Sequence, residues 1–161
     1  MTIFSIINST AVLPTQIMEN ATITIEDGVI IDIAENGAAT ERYVNAEGAI
    51  CMPGIIDSHS DGFEMEPRPR PSVRLPLDFS IQSFEAKVRA AGVTTLFHGI
   101  GFENDGNRTV ESANAYVDII HEYSSSPTVM MNHRVLYRLD ARDADGFNAL
   151  CARIESDRQI D

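Results

Sequence analysis

The sequence predicts an α/β fold in two parts, a β module over residues 1–52 and strand–helix alternation over residues 53–161. Three observations predict it. The first fifty residues carry short apolar runs, some alternating with period two, around a two-residue hairpin signal, Asp27-Gly28. From Ile55 onward, β-branched runs alternate with segments whose apolar residues recur every three or four positions. Pro53-Gly54 separates the two textures. Three parallel strands after a β module suggest a small open sheet or the start of a (β/α)₈ barrel. A closed barrel takes about 250 residues, more than this whole 161-residue chain. A barrel reading therefore predicts a truncated one, made of the first three βα units. Its inner face, expected to carry Ile56, Leu96 and Leu136, would need the rest of the barrel or a second chain to bury it.

Each element has its own justification. Residues 2–8 form an apolar run, and residues 21–26 alternate with Ile23 and Ile25 on one face. Asp27-Gly28 turns the chain into a partner strand over 29–33. The polar stretch 35–48 reads as a loop with one short strand near Tyr43-Val44, and 49–52 is a strand stopped by Pro53-Gly54. Residues 55–58 are the first parallel strand. Asp78 is the expected cap of a helix reaching Ala91, with Ile81, Phe84, Val88 and Ala91 on its buried face and Gly92 as its stop. Residues 93–97 are the second strand, and 99–108 a glycine-containing loop. Thr109 caps the next helix, whose face carries Val110, Ala113, Val117 and Ile120, and Pro127 ends it. Residues 128–139 are the third strand. Asp143 or Asp145 caps a last helix that turns Phe147, Leu150, Cys151 and Ile154 inward.

Composition excludes several functions. The chain is 43% hydrophobic, so it can bury a core, and its net charge of −12 argues against general nucleic-acid binding. No apolar run approaches the ~18 residues of a membrane span, and no basic, apolar, small-residue leader is visible at the N-terminus. Cys51 and Cys151 lie far apart without metal-knuckle spacing. Two reduced cysteines fit a cytoplasmic protein. Neither a Gly-rich phosphate loop nor a Gly-x-Ser-x-Gly elbow occurs.

The chemistry concentrates after Pro53. Along a strand, Asp57, His59 and Asp61 share one face. At the C-terminal end of a barrel strand they would point into the mouth, where active sites form. Imidazole nitrogen with carboxylate oxygen is an ordinary ligand pair for a divalent ion, although His-x-Asp also arises by chance. Arg68, Arg70 and Arg74 form the one basic cluster, stiffened by interleaved prolines. Guanidinium groups bind phosphate bidentately; the alternative is a solvated loop paired to Glu64 and Glu66. Asp140, at the end of the third strand, is a further metal ligand or a helix cap. Arg138 shares its strand face and either holds phosphate or pairs with Asp140. His98, expected at the mouth end of the second strand, is a ligand, an acid/base or substrate-binding group, or a packed residue. His133 reads as structural and His121 as solvent-facing.

The stretch Met52-Pro53-Gly54-Ile55-Ile56-Asp57-Ser58-His59 resembles the opening of the amidohydrolase superfamily, in which a small β domain precedes a metal-bearing barrel. Asp61 stands where that superfamily usually has a second histidine. Asp57-x-His59-x-Asp61-x-x-Glu64, the Pro67–Pro76 segment, Ala90-Ala91-Gly92-Val93-Thr94-Thr95 and residues 132–140 together resemble a narrower family, the triphosphate diphosphatases of carbon–phosphorus lyase (phosphonate) catabolism. Phe84-Glu85 and Asp140 depart from that family's His-Asp pair and glutamate. The resemblance implies a metal-dependent hydrolase that splits a phosphoanhydride of a ribosyl triphosphate and releases diphosphate. A divalent metal would sit at His59 and Asp61, with Asp140 a candidate third ligand. A small phosphorylated substrate would meet Arg68, Arg70, Arg74, Arg138 and His98. The remaining ligands and the acid/base would lie beyond Asp161, so the acid/base is not assigned. Two rivals remain: a hydrolase of the same fold acting on an amide, ester or deaminable ring, and a shortened non-catalytic interaction protein.

Overall fold

The computed structural model describes residues 2–106 and 108–157. The chain divides into two compact units, Met1–Pro53 and Gly54–Asp161.

In the first unit, β1 (Ile3–Val12), β2 (Ile17–Glu26) and β3 (Val29–Glu35) form an antiparallel meander. β4 (Tyr43–Asn45) and β5 (Ile50–Cys51) add to β1 in parallel. The turn between β2 and β3 has positive φ at both Asp27 and Gly28, the geometry of a type I′ hairpin. β1 and β2 run several residues longer than the sequence indicates. Asn8 and Asn20, both at positive φ, sit beside register shifts that let the strands bend and continue. The small core is Ala11, Ala21 and Ile23.

The second unit is a three-stranded parallel sheet, β6 (Ile55–Ser60), β7 (Val93–Phe102) and β8 (Asn132–Leu139), in the order β6-β7-β8. A one-turn α1 (Gly62–Met65) follows β6, and α2 (Leu77–Ala90), α3 (Val110–Ser124) and α4 (Ala144–Ser156) cover one face. Leu96, Ile100 and Phe102 of β7 point into this helix layer and are fully buried against Ile81, Val117 and Ile120. Side chains alternate along a strand, so Gly99 and Gly101 belong to the opposite, open face.

Several sequence expectations are corrected. α2 begins at Leu77 with Pro76 as its N-cap; Asp78 lies inside the first turn. Ala91 is its C-cap and is exposed. β7 continues five residues past the expected end at 97, through Gly99 and Gly101, so the first four residues of the supposed loop are strand. Leu96 lies in the helix layer, not on the inner face, and β8 starts at Asn132. Asp143 caps α4 by accepting from Gly146 N at 3.0 Å, but Phe147, Cys151 and Ile154 are exposed and only Leu150 of the four expected residues is buried.

Candidate metal and anion site

His59 and Asp61 close β6 on the open face of the second sheet. A Cβ on Gly99 would lie 2.6 Å from Asp61 Oδ1 and 3.1 Å from His59 Nε2. A bare backbone at Gly99 is therefore what lets this pair lie down on the neighbouring strand. Asp57 Oδ1 accepts from His59 N at 3.1 Å and tightens the strand end. His59 Nε2 and Asp61 Oδ1 are 3.2 Å apart, and Arg138 Nη1 of β8 donates to the same Asp61 oxygen at 2.7 Å. The three side chains are a third to a half exposed (52% for His59, 48% for Asp61, 34% for Arg138). The structure thus brings together His59 and Asp61, at the end of β6, and Arg138 of β8, which is 77 residues from Asp61 in the chain.

Two donors 3.2 Å apart fit one edge of a coordination shell, which spans roughly 3.0–3.4 Å when ligand bonds are ~2.1 Å. An imidazole and a carboxylate are also the right donor types for a divalent ion. His59 and Asp61 would hold it. Among the described residues no cluster of three or more His, Cys, Asp or Glu side chains forms, so Asp140 does not join them. Asp140 instead accepts from Arg142 Nε at 2.9 Å and Nη2 at 2.5 Å. Those bonds hold its carboxyl down to about 2. Arg138 turns to Asp61 rather than to Asp140.

Beyond the end of β7 lies a cleft of about 570 Å³. Arg68, Arg70 and Arg74 line one side; Glu64, Glu103, Asp105, Arg108 and Tyr116 complete it. Glu64 and Glu66, the partners of a merely solvated arginine loop, bind other groups. Glu64 is buried, accepts from Gly101 N at 3.0 Å, and pairs with Arg108 at 2.8 Å. Glu66 accepts from Ser83 and pairs with Lys87 at 2.6 Å. Arg108 also pairs with Glu103 at 2.8 Å. Arg108 was not legible as a site residue, because it stands alone in a loop sequence, and of its two carboxylates Glu64 lies 44 positions away and Glu103 meets it only through the shape of one loop. Tyr116 is buried at the cleft. Burial pushes its phenol up, the guanidinium groups of Arg68 and Arg74 oppose the rise, and Glu64 adds to it.

His98 does not reach this side. With β7 running to Phe102, residue 98 falls on the helix face, where its ring lies 5.4 Å from Phe63 and 5.9 Å from Phe84 and is fully buried. Its Nε2 is 2.8 Å from His133 Nδ1, and His133 Nε2 is 3.0 Å from Glu85 Oε2. Tyr123 OH donates to Glu85 Oε1 at 3.2 Å, and Met130 N to Oε2 at 3.1 Å. While both rings are neutral, a carboxylate that only accepts orders the protons: His133 donates from Nε2 and His98 from its own Nε2, and among the described residues His98 Nδ1 has no hydrogen-bond partner. Burial, then the repulsion from His133 when that ring is protonated as well, lowers His98 to about 3. Glu85 is also lowered: burial raises it, but the bonds from His133 and Met130 outweigh that effect. The network ties α2, α3, β7 and β8 together, with His133 buried between His98 and Glu85.

No family model matches the chain. One similar sequence is the alpha-D-ribose 1-methylphosphonate 5-triphosphate diphosphatase of Escherichia coli (strain K12), 26% identical over 137 residues. The chain resembles the amidohydrolases. That alignment takes in 84% of this chain and 36% of the enzyme, so the chain spans about a third of that relative's length. Among solved structures, an amidohydrolase superposes with a TM-score of 0.59 at 20% identity, over 85% of this chain and 32% of its own. Guanine deaminase from C. acetobutylicum superposes with a TM-score of 0.60 at 13% identity, over 98% and 51%. These two likenesses establish the fold, a mixed α/β arrangement found in the amidohydrolases.

Proposed function

We propose that the chain is the N-terminal portion of a metal-dependent hydrolase that cleaves a phosphoanhydride in a ribosyl 1-phosphonate 5-triphosphate and releases diphosphate. On this reading β6, β7 and β8 are the first strands of a barrel, and the rest of the barrel or a second chain covers the open sheet face. A divalent ion supplies polarisation of a phosphoryl oxygen and activation of water. His59 and Asp61 hold it. The arginine cleft binds and orients the polyphosphate away from bulk water. The sequence likeness to a triphosphate diphosphatase supports the substrate class. A cytoplasmic location goes with this reading.

The observation that carries the proposal is the charge of the cleft. The chain as a whole is at −12, yet four arginines line this cleft against three carboxylates, and Glu64 and Glu103 are already bound to Arg108. A neutral amide or ring substrate has no use for such a wall. Calorimetric titration with inorganic triphosphate tests it. Binding is expected, and Arg68→Ala should weaken it by roughly 1.5–3 kcal/mol, the value of a lost charge-assisted hydrogen bond. Equal binding by the variant and the parent would contradict the assignment and favour an uncharged substrate.

A further inference from the structure

Among the described residues, Arg138 is the cation in direct contact with the proposed metal ligands. Its Nη1 lies 2.7 Å from Asp61 Oδ1, the oxygen that also faces His59. Arg138 also lines a smaller cleft of about 300 Å³ with Gly101, Glu103, Asp140 and Arg142. Both acids of that cleft are engaged: Glu103 pairs with Arg108 and Asp140 with Arg142. A divalent ion at Asp61 brings a like charge against the guanidinium, whose side chain is 34% exposed. Turned away from Asp61, it meets a cleft whose carboxylates already have cations. The counterion that fits there is a ligand anion.

We propose that Arg138 is a metal-displaced anion-binding residue: it neutralises Asp61 until a divalent ion takes the carboxylate, and then turns to bind the phosphate of the ligand. This rests on the metal reading above and adds to it an order of binding, metal first and anion second. The opposing arrangement is a guanidinium that keeps its bond to a ligating carboxylate and supports the metal from outside. The two differ in the sign of one measurement.

The measurement is calorimetric titration of Mn²⁺ into the chain, Arg138→Gln and Asp61→Asn. Displacement predicts that Arg138→Gln binds Mn²⁺ about fivefold tighter than the parent, the factor that ~1 kcal/mol of an exposed ion pair represents. Asp61→Asn should lose binding. Loss in Asp61→Asn with equal or weaker binding in Arg138→Gln would overturn the displacement and leave the metal reading standing. Unchanged binding in Asp61→Asn would overturn the metal reading itself. A second readout uses the parent chain: labelling of Arg138 by phenylglyoxal, followed by peptide mass spectrometry, should rise when Mn²⁺ is added and fall again with orthophosphate. Labelling that Mn²⁺ does not raise would also overturn the proposal.

Discussion

Gly99 controls how closely β7 approaches the ends of its neighbours. The site needs the space a Cβ would fill, since that atom would lie 2.6 Å from Asp61 Oδ1. Gly99→Ala should therefore cost at least tenfold in Mn²⁺ affinity, or ~1.4 kcal/mol. The thermal midpoint should hardly move, because the helix-layer core lies on the other side of the sheet. A fall in the midpoint with unaltered affinity would show that Gly99 serves packing alone. His98 makes the second prediction at this scale. Its folded value of about 3 lies below the usual 6.5, so between those values the unfolded chain takes up a proton that the folded chain refuses. Stability is then lost as pH falls below 6.5, at up to ~1.4 kcal/mol per pH unit for one proton. The groups facing His98 are Phe63, Phe84 and His133, with Glu85 and Tyr123 beyond, and lowered Glu85 adds its own loss only at more acid pH. Denaturant unfolding of His98→Asn from pH 7 to 5 should show a shallower slope than the parent; identical slopes would contradict the burial argument. The sequence placed His98 at the mouth because Gly99 read as the start of a loop. That glycine instead continues the strand and makes room for Asp61, and with the strand extended His98 falls on the helix side.

At the level of elements, legibility followed how local the signal was. α3 was readable because Thr109 and Ser112 form a reciprocal capping box: Ser112 N donates to Thr109 Oγ1, and Thr109 N to Ser112 Oγ, both at 3.1 Å. Thr109→Ala should cost ~1 kcal/mol in urea unfolding, within the usual range of about 0.5–2 for a lost cap; an effect near zero would mean that Asn104, which accepts from Val110 N at 3.2 Å, is sufficient by itself. α2 was misplaced at its start because Pro76, with φ −55°, opens the helix without any side-chain cap. α4 carries an apolar pattern, but β8 is an edge strand and only Leu150 of that pattern is buried. The metal pair was legible because His59 and Asp61 are two residues apart at the end of one strand. Arg108, Glu64 and Glu85 were not, because each acquires its meaning from partners 37 or more residues away, or, for Arg108 and Glu103, from the shape of one loop.

For the whole molecule, the proposed reading requires that the open face of the parallel sheet be covered. Parallel sheets are normally buried on both faces. Here Leu136 is only half-buried, β6 and β8 are edges, and Ile56 is 65% exposed. Sedimentation of the chain at rising concentration should show self-association. A monodisperse monomer with a sharp thermal transition would contradict the barrel reading and favour a self-sufficient small α/β unit. The central claim, that His59 and Asp61 form a divalent-metal site, has the most direct test. Elemental analysis of the chain after equilibration with Mn²⁺ or Zn²⁺ and removal of free ion should find bound metal in the parent and none in a His59→Ala, Asp61→Ala double variant that retains the parent's circular dichroism. The same metal content in both proteins would contradict the account.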